Sequence, residues 1–254
     1  MVKKILFFLI LLIISSIVIY FSCKGYLLYT YKVDTLNNLK EKIKSSGKKI
    51  TIIKNTNKAA ENMTFENIIY PKLKDRCDLK EDSNNLVGYN YSTCCLYDSN
   101  NKNTCKAIFK VGTYAYTMYK VVTMNNPENP TFGFAFKGTN DEKLLNNYGI
   151  KNNVDLFEYI FDHYNNDINI FTKRDDMRIL YLVKIFANTI IPVSNIFIID
   201  GDYSGYMYIV NNNYYEVNLI YNEKTYIFAF KNDKNREYFN LENIKEFISN
   251  VTFD

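Results

Sequence analysis

Five cysteines and a single histidine are the residues of this 254-residue chain with the most chemistry to offer. Cys77, Cys94, Cys95 and Cys105 fall together in a polar, turn-rich stretch. In an exported domain an even cysteine cluster of this kind is a disulfide framework. A bridge between the neighbours Cys94 and Cys95 would force unusual backbone geometry, so Cys77 is expected to pair with one of them and Cys105 with the other. Each bridge would stabilise the segment by roughly 2–4 kcal/mol. Zinc fits poorly, because there is no Cys-x-x-Cys and the sole histidine, His163, is remote in sequence. Cys23 stands apart. It follows Ser22 at the end of an apolar run, where a lipid-acylated cysteine would stand after cleavage.

His163 follows Asp155, Glu158 and Asp162 on a predicted helix, and these three acids share one face. The pattern suits acid–base or metal chemistry. A solvated acidic face opposite Phe157 and Phe161 is the preferred reading, since no other motif converges on this group. Asp200-Gly201-Asp202 lacks the further oxygen ligands and the distal glutamate of a calcium loop, and reads as a turn. Gly-x-Ser-x-Gly, the Walker phosphate loop and Gly-x-Gly-x-x-Gly are all absent. No catalytic, cofactor-binding or metal-binding residue is therefore assigned, and no cofactor is expected.

The elements around these residues begin with a membrane segment. Lys3 and Lys4 precede an uncharged run, Ile5–Ser22, without Pro or Gly. At about 1.5 Å of rise per residue this run crosses most of a hydrocarbon core of about 30 Å. An uncleaved signal anchor is the preferred reading over a cleaved signal peptide or a lipoprotein acylated at Cys23. The lysines at the start place the N-terminus in the cytoplasm. Lys24, Lys32, Lys40, Lys42, Lys44, Lys48 and Lys49 behind the run argue the other way. Long domains translocate largely regardless of charge, and the cysteines favour an oxidising compartment, so the body is expected outside the cytoplasm, periplasmic or extracellular.

Residues 33–46 read as a short basic amphipathic stalk helix, with Val33, Leu36, Leu39 and Ile43 at helical spacing. A strand over 49–53, an irregular stretch over 54–105 and strands over 106–124 follow, then a loop at 125–130 and a strand at 132–136. Two helices are expected, one from Asn153 and one over 173–191 ended by Pro192. Four strands then form an antiparallel meander over residues 195–230, its first hairpin turning at Asp200-Gly201. A closing helix carries Leu241, Ile244, Phe247 and Ile248.

The expected fold class is α+β: a single N-terminal transmembrane helix, then a globular domain with antiparallel sheet and packed helices. The segments are 1–22, the anchor or signal peptide; 23–50, the basic juxtamembrane stalk; 51–126, the cysteine-containing loop and strand subdomain; and 127–254, the α+β body. A net charge of +4 is too near neutral to call for nucleic acid. The wealth of Asn, Ile, Lys and Tyr is what AT-rich codons produce, so the glycosylation sequons at Asn62, Asn90 and Asn250 carry no weight. The functional expectation is a membrane-anchored extracytoplasmic protein that binds, as an envelope accessory or ligand-binding module. The alternatives are an enzyme with a dispersed site near His163 and a structural lipoprotein acylated at Cys23. The bilayer is one partner. Tyr203, Tyr206, Tyr208, Tyr214, Tyr215, Tyr221 and Tyr226 could offer a second, a protein or peptide, a surface on the sheet.

Overall fold

The computed structural model describes residues 2–32, 49–55, 61–74, 77, 80–84, 89–98, 101–114, 140–190, 195–233 and 238–254. The chain is mixed α+β, an N-terminal apolar helix followed by a sheet-rich globular body. The expected stalk helix over 33–46, the loop at 125–130 and the strand at 132–136 lie outside the described residues.

Helix α1 runs unbroken over Val2–Thr30, well past the end of the apolar run. Its first twenty residues turn apolar side chains outward on every side, as a helix in lipid does and a soluble core helix does not. Ser15 and Ser16 donate their hydroxyls to the carbonyls of Leu11 and Leu12, both at 2.8 Å. Their polar groups are thus satisfied within the helix, which a hydrocarbon surrounding demands.

The body is built on one eight-stranded sheet, ordered β1-β7-β8-β9-β10-β6-β5-β4. The strands are β1 Lys49–Ile52, β4 Lys80–Asn84, β5 Tyr89–Asp98, β6 Asn101–Tyr114, β7 Asn195–Gly201, β8 Ser204–Val210, β9 Tyr214–Tyr221 and β10 Lys224–Asn232. β1 pairs parallel with β7, and every other pairing is antiparallel. A second sheet of three short strands joins β2 Asn62–Phe65, β3 Ile68–Pro71 and β11 Thr252–Phe253. Strands from both sides of residue 126 lie in the one large sheet.

Both faces of the large sheet are covered. On one lie α2 Asn140–Asn147, α3 Asn153–His163 and α4 Arg174–Ile190. Their Leu145, Leu156, Phe157, Ile160, Ile179 and Val183 pack with Ile196, Ile198, Tyr206 and Tyr208 of the sheet. On the other face lie the small sheet and α5 Leu241–Ser249. There the Phe247 ring meets Tyr70, Phe109, Phe228 and Phe230 at centroid distances of 5.3–6.1 Å. The alternation that normally marks a half-buried strand is lost in β8, where Tyr206 and Tyr208 enter one core and Met207 and Ile209 the other.

The turns differ from expectation in an instructive way. Asp200-Gly201 is not a two-residue type I′ turn: Ile199 pairs with Gly205, leaving a longer connection. Gly201 stays in the strand with φ +117°, and a side chain there would reach within 2.5 Å of the Ile52 carbonyl oxygen on β1. The glycine serves the parallel pairing with β1 as much as the turn. The type I′ pattern of two positive φ angles in a two-residue loop falls instead at Asn222-Glu223, between Tyr221 and Lys224.

Candidate functional site

The site with the clearest physical character is the junction between α1 and the body. Beyond the apolar run, α1 ceases to be exposed all round. Lys24, Leu27, Leu28 and Tyr31 become partly or fully buried, a spacing that places them on one helical face. Tyr31 packs against Tyr181 of α4 at 5.1 Å between ring centroids. Lys24 is only 7% exposed. Its ammonium donates to the Thr172 carbonyl and lies 4.0 Å from Met177 Sδ on α4. A cation so deeply seated next to an apolar run is costly unless held by a polar partner, and the carbonyl at the N-terminal approach to α4 supplies one.

That carbonyl belongs to a compact turn, Asn169–Thr172. The Thr172 amide donates to the Asn169 carbonyl at 3.0 Å. The Asn169 amide donates to Thr172 Oγ1 at 3.0 Å, and the Phe171 amide to Asn169 Oδ1 at 2.9 Å. These three bonds hold the turn and leave Phe171 82% exposed at its tip. The Phe171 ring lies edge-on to Phe21 of α1, 6.5 Å between centroids.

Cys94 and Cys95 lie on β5 and Cys105 on β6, while Cys77 stands outside the strands and makes an isolated bridge to Leu96. Cys77 is bonded to Cys94 and Cys95 to Cys105, closing separations of 17 and 10 residues. Cys94 and Cys95 are adjacent on β5 and point to opposite faces of the sheet, so each bridge works on its own face. Cys23 is free and exposed within α1.

His163 is engaged locally. Its Nδ1 lies 3.0 Å from the Tyr159 carbonyl and its ring stacks on Tyr159 at 3.9 Å. Asp155 is taken by the start of α3, where its carboxylate accepts the amides of Lys151 and Asn152 while the Asn152 side chain accepts those of Val154 and Asp155. This is a capping box. Among the described residues no group of three or more His, Cys, Asp or Glu side chains could hold a metal ion. Asp202 accepts the Lys54 amide at 2.7 Å, fastening the end of β1 to the β7–β8 connection.

Of the tyrosines of the last four strands, part of whose face could have stayed exposed, most are internal. Tyr203, Tyr206, Tyr208, Tyr215 and Tyr226 are each below 8% exposed. Tyr221 reaches the surface and stacks on Phe253 at 4.6 Å. The cause is coverage of the sheet on both faces, which the alternation of a single strand cannot reveal.

Sequence patterning missed one polar cluster. Glu216, 7% exposed, accepts the Tyr214 hydroxyl at 2.6 Å and the Asn218 amide at 3.1 Å. Asn153 donates to the Tyr206 hydroxyl at 2.9 Å on the same face. Burial raises the Glu216 carboxyl above its ordinary range, while Tyr214, Asn218 and the charge of Lys110 pull it back. Perturbed carboxyls often mark active sites; this one is almost wholly buried. Comparison with protein-family models, with curated proteins and with solved structures finds no match for this chain.

Proposed function

We propose that the chain is a single-pass membrane protein whose α+β body stands outside the cytoplasm and acts by binding, as an accessory module of the cell envelope. The observation that carries this reading is α1 itself. Its apolar surface is exposed over a length fit to cross a bilayer, and its last turns are seated in the body through Lys24, without a flexible break between the two. The two disulfides support an oxidising location for the body. Cys23 lies inside the unbroken helix, one residue before the buried Lys24. This favours a retained anchor over cleavage and acylation at that cysteine.

Thiol labelling of intact and permeabilised cells, in a Cys23→Ser background, tests the reading. Label that reaches Cys77, Cys94, Cys95 and Cys105 in intact cells only after reduction supports it. Ready labelling without reductant, and only after permeabilisation, would sink both the topology and the bridges. Intact mass of the wild-type chain adds a second readout: a chain that begins at Cys23 and carries acyl mass would replace the anchor with a lipoprotein.

A further inference from the structure

We propose that the Asn169–Thr172 turn is a second membrane contact, which lowers Phe171 into the boundary between head groups and acyl chains beside α1. The inference rests on the reading of α1 as a membrane span and adds what the body itself does at the bilayer.

Depth follows from the geometry. About 20 residues of helix cross a hydrocarbon core of about 30 Å. Counted from Ile5, the first residue after the two lysines, that distance ends near Lys24. Phe171 stands beside Phe21, about 4.5 Å of helix rise inside that limit. A body that holds Lys24 through Thr172 cannot keep Phe171 away from the membrane once α1 is in place.

The turn is also built for that surrounding. A backbone entering the boundary pays for each unpaired polar group, and three hydrogen bonds within Asn169–Thr172 engage the amides of Asn169, Phe171 and Thr172. An aromatic ring exposed to 82% of its surface has no packing role in the body, whereas aromatic side chains are favoured at the membrane interface. Lys173 and Arg174 follow on the exposed side, where anionic head groups attract cations. With two points of contact the body cannot rotate freely about the α1 axis, so one fixed side of the sheet faces away from the membrane.

The test uses the full chain in vesicles of phosphatidylcholine and phosphatidylglycerol, with Cys23→Ser and the native disulfides left oxidised. An environment-sensitive fluorophore is attached through Phe171→Cys in one sample and Ile13→Cys in another. The expected result is a blue-shifted label at position 171 that loses intensity to lipids with a shallow quencher, and a label at position 13 that loses intensity to a deep one. A label at position 171 quenched only by a soluble quencher, with position 13 still quenched from within the lipid, overturns the second contact and leaves the span intact. A label at position 13 that stays in water overturns the span, and the second contact with it. Phe171→Asp gives an independent check, with the unlabelled wild type as reference. Limited proteolysis at Lys173 and Arg174 in vesicles should quicken if the ring holds the turn to the membrane, and an unchanged rate counts against it.

Discussion

Single residues in this protein carry roles that their types alone do not announce. Glu216 is the clearest case. Because burial raises its carboxyl, the folded state holds that proton to a higher pH than the unfolded chain does. The sign follows: folding takes up a proton between the two values, so the contribution is full below the unfolded value of about 4.3 and is lost as pH rises through the folded one. Glu216→Gln keeps an oxygen to accept one hydrogen bond and removes the titration. Urea midpoints measured from about pH 4 to 8 should fall less for the variant than for the wild type, and parallel curves would refute the assignment. The carboxylate itself is plain in the sequence. Its burial is not, because it depends on what covers the sheet. Asp155 makes the complementary point: it resembles part of an acidic constellation with His163, yet its Oδ2 accepts two amides at the N-terminus of α3.

At the scale of elements, much was legible where local physics decides. The apolar run, the helices near 153–163 and 174–190, the last strands and the closing helix all follow from periodicity and turn chemistry, which act over a few residues. Polar strands such as β4 and β5 did not declare themselves, since they have little apolar pattern and are held by pairing, β5 to β6 and β4 to β5. The disulfides act on this part of the sheet. With separations of 17 and 10 residues, loss of either bridge is expected to cost about 3 kcal/mol by loop-closure entropy. Paired serine replacements, Cys77→Ser with Cys94→Ser and Cys95→Ser with Cys105→Ser, should each lower the urea midpoint accordingly. A variant pair as stable as the wild type would mean that strand pairing orders the segment without them.

For the whole molecule the junction of α1 with the body is the decisive feature, since it fixes the apolar helix to α4 and the turn before it. Lys24 is its central contact. Lys24→Ala removes a charge-assisted hydrogen bond of about 1.5–3 kcal/mol. Amide exchange at Phe171 and Thr172 should then quicken by about tenfold or more, while β9 and β10 keep their protection. Equal exchange in both proteins would place the strength of the junction elsewhere, in Tyr31 against Tyr181.

What the sequence determined by itself is the presence of an apolar helix, the α+β character and the positions of many regular elements, because each depends on neighbours in the chain. Tertiary structure alone decided that strands on both sides of residue 126 share one sheet, that most of the tyrosines of the last strands lie inside, that Gly201 is shaped by β1, and that Lys24 and Phe21 of α1 meet the Phe171-Thr172 turn. Those outcomes turn on which surfaces are covered and which distant segments pair, and neither is encoded in any short stretch of residues.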